Sequence, residues 1–501
     1  MNSSQLKILF ASSEIFPLIK TGGLADVSSG LPQAVTKLGH DIRVIVPAYK
    51  QIIDEYPHTT VCQLKINDHQ VRLLAVQLPD STNKQKNDNT TIWLVDIPAL
   101  FYRNGGPYSS VDGNDWPDNA ERFSLFSKVV SELALGRMEI DWQPDVVHCN
   151  DWQTGLIPAY LALEEKRPST VFTIHNMAYL GLFSHQVFRQ LNLPEQWWAW
   201  NMMEFHHHFS FIKGGLIFAD QINTVSPTYA EQIKTAEYGY GMEGILNYRS
   251  HLLSGILNGV DYEQWNPETD PLIAKNYSIK SLNSKKANKL AVQKHFELPE
   301  NEDIMLIGVV GRMVEQKGYD LILHALPEIT KKPVQIVMLG SGMSQLEYAL
   351  LNSMDDHPEQ ISIIIGYDED IAHLVEAGAD VFMMPSRFEP CGLNQFYSLK
   401  YGTLPFVNNT GGLADSVVNA SPENIQNGSA TGFVMDNASL ESFFAAFENA
   451  FNTYQNPKTW TQIMKNGMNQ DFSWEKSANE YIALYHKSIK SQYHIPASFS
   501  V

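Results

Sequence analysis

The chain has 501 residues, too many for one ordinary hydrophobic core, and this length predicts two domains of roughly 250 residues each. It carries 36 Lys and Arg against 55 Asp and Glu, and the net charge of −19 argues against a nucleic-acid partner. Cys62, Cys149 and Cys391 are too few and too scattered for a disulfide framework and favour a reducing compartment. No apolar run approaches the ~18 residues of a membrane span, and residues 8–11 are too short for a secretory signal. We therefore expect a cytoplasmic protein with no membrane partner.

A glycine-rich loop separates the first strand from the first helix. Residues 7–11 read as a buried parallel strand, and apolar residues recur at helical spacing from Val27 to Leu38 until Gly39 ends the helix. The loop KTGGLAD at residues 20–26 lets backbone approach a ligand at Gly22 and Gly23, and its lysine supplies a positive charge. A plain glycine turn is an equally good interpretation of this loop alone. Pro32 predicts a kink in the helix or a late start.

Polar residues follow later strands of the first half. A polar loop is expected at residues 80–90, and residues 149–152 (CNDW) and His175-Asn176 each come directly after an apolar strand. A lone histidine at a strand end is more often structural, but His175 with Asn176 offers several hydrogen-bonding groups at one point. Polyhydroxylated ligands need such groups.

Residues 195–211 combine three tryptophans with the run His206, His207 and His208. On a helix, adjacent side chains point about 100° apart, so these histidines could not share one metal ion. We expect no metal site, and we expect most of the aromatic rings to pack in the core rather than against sugar rings.

The second half repeats the strand and helix alternation that is typical of doubly wound parallel sheets. The boundary between domains is expected near residues 250–265, giving domains 1–255 and 256–501, and the last helices could pack back on the N-terminal domain. Arg312 and Lys317 lie between the strand at 304–310 and the next helix, where two cations near a helix N-terminus suit a diphosphate. Solvated loop charges are the alternative. Residues 340–342 (GSG) lack the third glycine of a dinucleotide-binding fingerprint, which argues against a dehydrogenase.

Residues 385–415 contain two further strand-to-helix loops. The first carries Glu389, Cys391 and Gly392 before a helix that includes Leu393, and the second, residues 408–412, contains Thr410 and Gly411. The hexapeptide TGGLAD occurs both at residues 21–26 and at residues 410–415. Loops at the carboxyl edge of parallel strands bind ligands in open α/β proteins, so two sheets could face one ligand.

With these motifs, the chain resembles the bacterial glycogen synthases and plant starch synthases over nearly its whole length. The resemblance implies an α/β protein of the GT-B fold, with two Rossmann-like domains and a cleft between them. It implies transfer of glucose from ADP-glucose to the non-reducing end of an α-1,4-glucan with retention of configuration, without a metal or organic cofactor.

The resemblance also implies roles for single residues. Arg312 and Lys317 would bind the donor diphosphate with help from Lys20 and the backbone of Gly22 and Gly23. The other implied roles are as follows: Asp26, His175, Asn176 and Asn258 around the glucosyl group; Tyr367 stacked on the adenine; Glu389 with Cys391, Gly392 and Leu393 holding the sugar; and the loop with Thr410 and Gly411 at the distal phosphate.

Two stretches depart from common bacterial versions of this family. Residues 150–153 read NDWQ where many bacterial members have HDWH, and Asn408-Asn409 stand where basic residues are frequent. The second change removes positive charge beside the expected phosphate site. UDP-glucose as the preferred donor therefore stays open, as does a non-catalytic glucan-binding protein. A glucan phosphorylase is a further alternative. It would need pyridoxal phosphate on a lysine, so a colourless protein would exclude it.

Overall fold

The computed structural model describes residues 5–76 and 90–491, so most of the polar loop expected at residues 80–90 lies outside the described residues. The chain divides into two compact units. Unit 1 comprises residues 1–259 and 474–501, and unit 2 comprises residues 260–473. The C-terminal segment thus belongs to the same unit as the N-terminus.

The described strands and helices follow in chain order. The strands are β1 (Lys7–Ala11), β2 (Asp41–Pro47), β3 (His58–Ile66), β4 (His69–Val76), β5 (Thr91–Asp96), β6 (Val146–Asn150), β7 (Ser169–Ile174), β8 (Leu182–Ser184), β9 (Glu204–Phe205), β10 (His208–Ser210), β11 (Gln221–Thr224), β12 (Leu253–Gly255), β13 (Met305–Val310), β14 (Val334–Gly340), β15 (Ile361–Ile365), β16 (Val381–Met384), β17 (Leu404–Asn408) and β18 (Phe433–Met435). The helices are α1 (Gly23–Lys37), α2 (Lys50–Glu55), α3 (Pro98–Phe101), α4 (Asn119–Ala134), α5 (Leu156–Leu161), α6 (His185–Gln190), α7 (Phe211–Phe218), α8 (Pro227–Gln232), α9 (Glu243–Tyr248), α10 (Lys285–His295), α11 (Tyr319–Ile329), α12 (Ser344–Asp356), α13 (Glu369–Gly378), α14 (Asn394–Tyr401), α15 (Gly411–Ser416), α16 (Pro422–Asn427), α17 (Leu440–Tyr454), α18 (Pro457–Met468) and α19 (Trp474–Lys490).

Unit 1 is built on a nine-stranded sheet with the order β12-β11-β7-β6-β1-β2-β5-β4-β3. The strands from β12 to β5 are parallel to their neighbours, but β4 runs antiparallel to both β3 and β5. Only two residues join β3 to β4, and Asn67 has a positive φ of 52°, as a tight hairpin requires. A connection this short cannot cross over to a parallel strand, so β4 adds an antiparallel edge to an otherwise parallel sheet.

The histidine run lies in a hairpin and not in a helix. Strands β8, β10 and β9 form a separate antiparallel sheet, and His206 and His207 make the turn between β9 and β10 with φ values of 48° and 64°. The helical geometry assumed for the three histidines is therefore wrong. Of the neighbouring tryptophans, Trp197 is buried in the core, whereas Trp200 is 81% exposed.

Unit 2 has a six-stranded sheet with the order β15-β14-β13-β16-β17-β18, and every pair is parallel. Counted within the unit, this is the order 3-2-1-4-5-6 of the doubly wound dinucleotide-binding fold. Strands β14 and β15 lie on one side of β13, and β16, β17 and β18 lie on the other. The order reverses between β13 and β16, so the crevice of this sheet opens at their carboxyl ends.

Helix α19 completes the core of unit 1. Its Tyr481 and Tyr485 are fully buried, and their hydroxyl groups lie 3.1 Å from Asn223 Nδ2 and 2.9 Å from His148 Nδ1. It also packs closely on α1, where a Cβ added at Gly30 would lie 2.0 Å from the indole of Trp474. Helix α1 starts at Gly23 and contains Pro32, so a late start of this helix is excluded.

Candidate active site

The loops singled out in the sequence lie at the two switch points. In unit 2, the loop after β13 carries Arg312 and Lys317, and the loop after the adjacent strand β16 carries Glu389. In unit 1 the order reverses between β1 and β6, which are followed by residues 12–22 and by Asp151. Ligands of open α/β sheets bind at such points.

Lys317 and Glu389 form an ion pair across the unit 2 switch point. The ammonium group contacts Glu389 Oε2, and Ser386 Oγ donates to the same oxygen at 3.2 Å. Glu389 is only 7% exposed, whereas the side chain of Lys317 is 25% exposed. Among the described residues the carboxylate thus has one cation and one hydroxyl as partners, and the cation faces partly outward.

Arg312 differs from Lys317. Arg312 is exposed, and within residues 5–76 and 90–491 its guanidinium group forms no salt bridge or hydrogen bond. The second arginine of the area, Arg387, is instead paired with Asp320 on α11. Arg312 is therefore the cation of this loop that is available to an anionic ligand without first breaking an internal pair.

Two glycines allow the unit 2 loops to pack against each other. Gly318 has a φ of 76°, and a Cβ there would lie 2.3 Å from the carbonyl oxygen of Pro385. Gly411 has a φ of 43°, and a Cβ there would lie 2.0 Å from the carbonyl oxygen of Glu389. Any larger residue at either position would push the Glu389 loop away from its neighbours.

The remaining unit 2 residues lie at the same edge of the sheet. Cys391 is buried, and its carbonyl oxygen accepts from Gln395 Nε2 at 2.9 Å. Gly392 (φ 73°) and Leu393 lead directly into α14, and no side chain caps that helix within the described residues. Thr410 is buried at the start of α15. Tyr367 follows β15, is 67% exposed, and donates its hydroxyl to Glu369.

Glu14 holds the glycine-rich loop of unit 1, although no sequence motif pointed to it. Its Oε2 accepts the backbone N–H groups of Thr21 at 2.5 Å and Gly22 at 3.3 Å, and its Oε1 accepts from Tyr108 at 2.5 Å. Glu14 is 3% exposed. The N–H of Gly22 is thus already engaged by a carboxylate, whereas the N–H of Gly23 belongs to the first turn of α1, where N–H groups have no acceptor within the helix.

Lys20 and Asp26 pair with each other at 2.9 Å, with 37% and 25% of their side chains exposed. Asp26 lies in the first turn of α1, where the helix dipole favours a negative charge, and no side chain caps this helix among the described residues. A ligand anion would therefore meet the Lys20 cation together with an acidic neighbour.

His175 is held as a neutral ring. Its Nε2 lies 2.9 Å from Asn150 Oδ1, and Asn150 uses its Nδ2 to donate to the carbonyl oxygen of Ala11 at 2.9 Å. Since Asn150 Oδ1 can only accept, the proton of His175 is on Nε2 and Nδ1 is left as an acceptor. Burial lowers the pKa of His175 to about 3. The side chain can therefore accept a hydrogen bond from a ligand hydroxyl.

Asp151 supports the backbone of His175 and was also missed by the sequence analysis as a site residue. Its Oδ1 accepts the N–H groups of His175 at 2.7 Å and Asn176 at 3.4 Å. Its φ of 56° and ψ of −178° belong to a region that is almost restricted to glycine, a kind of strain that concentrates at functional sites. Burial, with a smaller contribution from Glu14, raises the pKa of Asp151 to about 7.

Asn258 ends unit 1 with an unsatisfied acceptor. It is 6% exposed, and its Oδ1 is buried without a hydrogen-bond donor among the described residues. Buried amide oxygens are nearly always paired, so an orphaned one points to a ligand or an ordered water.

The described residues contain no cluster of three or more His, Cys, Asp or Glu side chains that could hold a metal ion. In the same part of the chain, every helix is too short or too polar to span a lipid bilayer.

Two family models match the chain. Residues 7–248 match the starch synthase catalytic domain, and residues 292–488 match the glycosyl transferases of group 1. The catalytic domain of starch synthase IV from Arabidopsis thaliana, solved bound to ADP and acarbose, superposes with a TM-score of 0.86 at 30% identity, over 97% of this chain and 100% of that one. Together with the two doubly wound sheets, these matches define a GT-B glycosyltransferase.

The curated relatives narrow this class. Glycogen synthase 1 of Methylococcus capsulatus is 49% identical over 97% of both chains, and the glycogen synthase of Thioalkalivibrio sulfidiphilus is 50% identical over 96% of this chain and 99% of its own. The chain belongs to the glycogen and starch synthase family, whose members are glucosyltransferases that use a nucleotide-sugar donor and a glucan acceptor.

Proposed function

We propose that this protein transfers glucose from ADP-glucose to the non-reducing end of an α-1,4-glucan with retention of configuration. The observation that carries the proposal is the position of Arg312, Lys317 and Glu389 on the two loops that flank the switch point of unit 2. This is the place in a doubly wound sheet where a nucleotide is held, and the loops present two cations beside one buried carboxylate.

Arg312 and Lys317 are assigned to the donor diphosphate. Arg312 is exposed and offers a fork of N–H donors, while Lys317 supplies a point charge next to Glu389. In unit 1, Lys20 and the N–H of Gly23 are assigned to the same diphosphate. Negative charge grows on this group as the glycosyl bond breaks, so cations that face it stabilise the transition state.

Glu389 is assigned to the glucosyl group, with Cys391, Gly392 and Leu393 lining the sugar at the start of α14. Breaking the bond to phosphate leaves positive charge on the sugar, which a buried carboxylate stabilises. The diphosphate is a good leaving group and needs little protonation. We therefore infer that the acceptor hydroxyl attacks on the face that the diphosphate leaves, and that the departing phosphate accepts the hydroxyl proton.

Unit 1 supplies hydrogen-bonding groups for sugar hydroxyls in this proposal. His175 Nδ1 and the orphaned Asn258 Oδ1 are assigned to sugar hydroxyls as acceptors. Asn176, which follows His175, and Asp26, in the first turn of α1, are assigned to the same glucosyl group. A neutral His175 does not serve as a general acid. Asp151 and Glu14 act as positioning residues for these loops.

ADP-glucose is favoured over UDP-glucose by two considerations. The related starch synthase IV of Arabidopsis thaliana was solved with ADP, and Tyr367 offers an exposed ring at the edge of the sheet that could stack on adenine. The assay compares kcat/KM for ADP-glucose and UDP-glucose with glycogen as acceptor. A higher value with ADP-glucose is expected, and a higher value with UDP-glucose would contradict the assignment of the donor.

The phosphate site is tested with Arg312→Ala against Lys331→Ala. Lys331 is an exposed cation of the same unit that follows α11, at the opposite edge of the sheet. We expect Arg312→Ala to lower kcat/KM for the donor by about 30-fold or more, since loss of such a contact costs roughly 2 to 4 kcal/mol. Lys331→Ala should retain the parent activity. Equal activity of the two variants would remove Arg312 from the phosphate site.

The stereochemical proposal is tested with Glu389→Gln. The variant should fold and bind ADP while kcat falls by roughly 10² to 10⁴. Proton NMR of the product formed by the parent protein should show the new linkage in the α configuration. A glucosyl adduct on Glu389, Asp26 or Cys391, found by mass spectrometry during turnover, would rule out attack without a covalent intermediate.

We also propose that the protein acts in the cytoplasm. Cys62, Cys149 and Cys391 form no disulfide with one another, which supports a reducing compartment. Fractionation of the native host with an antibody against this chain tests the location, and recovery from the secreted fraction would contradict it.

A further inference from the structure

The motif GSG at residues 340–342 has no role in the proposed function. It ends β14 and begins the loop that follows this strand. Strand β14 pairs in parallel with β13, whose own loop carries Arg312. Neighbouring parallel strands end at the same edge of a sheet, so the two loops leave the sheet side by side.

The backbone on both sides of Arg312 is hydrogen-bonded to β14 and to the motif. Before it, the N–H of Gly311 donates to the carbonyl oxygen of Leu339 at 3.0 Å. After it, the N–H of Met313 donates to the carbonyl oxygen of Ser341 at 2.9 Å. Met313 is fully buried, whereas Arg312 is exposed. The exposed cation therefore rises from a backbone that is fixed at both neighbours.

The two glycines of the motif make this close approach possible. A Cβ added at Gly340 would lie 2.0 Å from the carbonyl oxygen of Gly311. The carbonyl oxygen of Met313 accepts the N–H of Met343 at 2.9 Å, and a Cβ added at Gly342 would lie 2.3 Å from that same oxygen. A side chain at either glycine would push the two loops apart and break these hydrogen bonds.

Glu347 holds the motif from the other side. It is a half-buried residue in the first turn of α12, and its Oε1 accepts the N–H of Gly342 at 2.6 Å. Gly342 lies between Ser341 and Met343, whose backbone groups bond the residue that follows Arg312. The carboxylate thus fixes the part of the motif to which the phosphate-site loop is attached.

We propose that Glu347, acting through residues 340–342, is a positioning residue that sets Arg312 for the donor diphosphate; this rests on the proposed function. Without the carboxylate, the N–H of Gly342 loses its acceptor and the loops are no longer held in register. Coulomb's law alone gives the opposite expectation, because removing a negative charge near a diphosphate site should tighten anion binding. The direction of the change therefore separates positioning from a simple charge effect.

The test compares Glu347→Ala with Glu347→Gln and with Gln345→Ala. ADP binding is measured by calorimetry, and kcat/KM for ADP-glucose and KM for maltoheptaose are measured in the transfer assay. Glu347→Ala should bind ADP about tenfold more weakly and lose a similar factor in kcat/KM, as expected for a lost hydrogen bond to a charged group. The maltoheptaose KM should not change.

The two comparison variants should behave as the parent protein. Glu347→Gln loses the charge but keeps an amide oxygen that can accept the N–H of Gly342. Gln345 is an exposed residue of the same helix, so Gln345→Ala controls for substitution in α12. Weak ADP binding in Glu347→Gln equal to that in Glu347→Ala would overturn the role of the hydrogen bond.

Gly342→Ala tests the same connection without changing a charge. Its Cβ would collide with the carbonyl oxygen of Met313, so this variant should also bind ADP about tenfold more weakly or worse. Gly244→Ala is the matched control, because a Cβ at Gly244 in α9 has no atom within 4 Å among the described residues. Equal ADP binding of the two glycine variants would overturn the proposal.

A double variant shows whether Glu347 acts through Arg312. If it does, adding Glu347→Ala to Arg312→Ala should lower kcat/KM by less than twofold further, whereas effects that multiply would overturn the proposal. A glutamate that only caps α12 would lower the Tm of Glu347→Ala and leave ADP binding and kcat/KM at parent values, which also overturns it.

The two levels of inference fail differently. An impaired Arg312→Ala together with a parent-like Glu347→Ala overturns the positioning role and leaves the phosphate site in place. A parent-like Arg312→Ala overturns the phosphate site and the positioning role with it.

Discussion

Removing the charge of Lys317 should affect catalysis through Glu389 as well as through the donor. In Lys317→Met the Glu389 carboxylate, 7% exposed, keeps Ser386 Oγ at 3.2 Å as its partner among the described residues. Loss of one partner of a fully buried pair costs about 3 to 5 kcal/mol. Because the side chain of Lys317 is 25% exposed, we discount this to about 2 kcal/mol, or roughly 30-fold.

A double-mutant cycle measures this coupling. Lys317→Met should lower kcat/KM for ADP-glucose by about 10² to 10³, and Glu389→Gln by about 10² to 10⁴. If the two side chains act as a pair, the double variant should retain about 30-fold more activity than the product of the single effects predicts. The matched cycle pairs Arg312→Ala with Glu389→Gln. In the described part of the chain these two side chains form no ion pair or hydrogen bond with each other, so their coupling should be smaller by about 1 kcal/mol or more.

Independent effects would refute this reasoning. If the Lys317 and Glu389 variants combine to within twofold of the product of their single effects, the ion pair has no part in catalysis. Circular dichroism on all four proteins checks that each remains folded.

Three further predictions concern residues that are held in unusual ways. Asp151 has a pKa of about 7 in the folded protein and about 3.8 in the unfolded chain, so the folded state holds the proton more tightly between about pH 4 and 7. Rising pH in this range should therefore destabilise the parent protein relative to Asp151→Asn, by at most about 4 kcal/mol, and lower its Tm. Parallel Tm profiles of the two proteins would contradict this. Glu14→Ala leaves the N–H groups of Thr21 and Gly22 without their acceptor and should lower kcat/KM for ADP-glucose at least tenfold. Glu14→Gln should have an activity between those of Glu14→Ala and the parent protein. If both variants were as active as the parent protein, the loop would not depend on Glu14. Tyr367→Ala should raise KM for ADP-glucose by about 5- to 100-fold, by analogy with base stacking on aromatic residues, with little change in kcat; an unchanged KM would remove Tyr367 from the base site.

The loops of unit 2 could be predicted because their signals are local. Apolar strands ending at Val310 and Met384 are each followed within a few residues by glycine, charge and a helix. The alternation implies parallel strands, and parallel strands place all such loops at one edge of the sheet. The positions of Arg312, Lys317 and Glu389 at that edge follow from the pattern alone.

The supports of the unit 1 loops could not be predicted in this way. Glu14 is satisfied by Tyr108, 94 positions away, and no pattern in the sequence records that pairing. The left-handed backbone of Asp151 leaves no trace either, because aspartate is also common in ordinary turns. Spacing cannot separate a short hairpin from one helical turn, so the sequence does not reveal the turn that His206 and His207 make.

Unit 1 is interrupted in the chain, with α19 supplied only after residue 473. During synthesis, Tyr481 and Tyr485 reach their places in the unit 1 core only once the whole of residues 260–473 has been made. At roughly 5 to 20 residues per second, that delay lasts on the order of 10 to 40 seconds. During this interval the faces of α1 and β7 that α19 covers are exposed to solvent in the nascent chain, where chaperones can bind them. A separately expressed unit 1 would keep the same exposed surface permanently unless residues 474–491 were joined to residue 259.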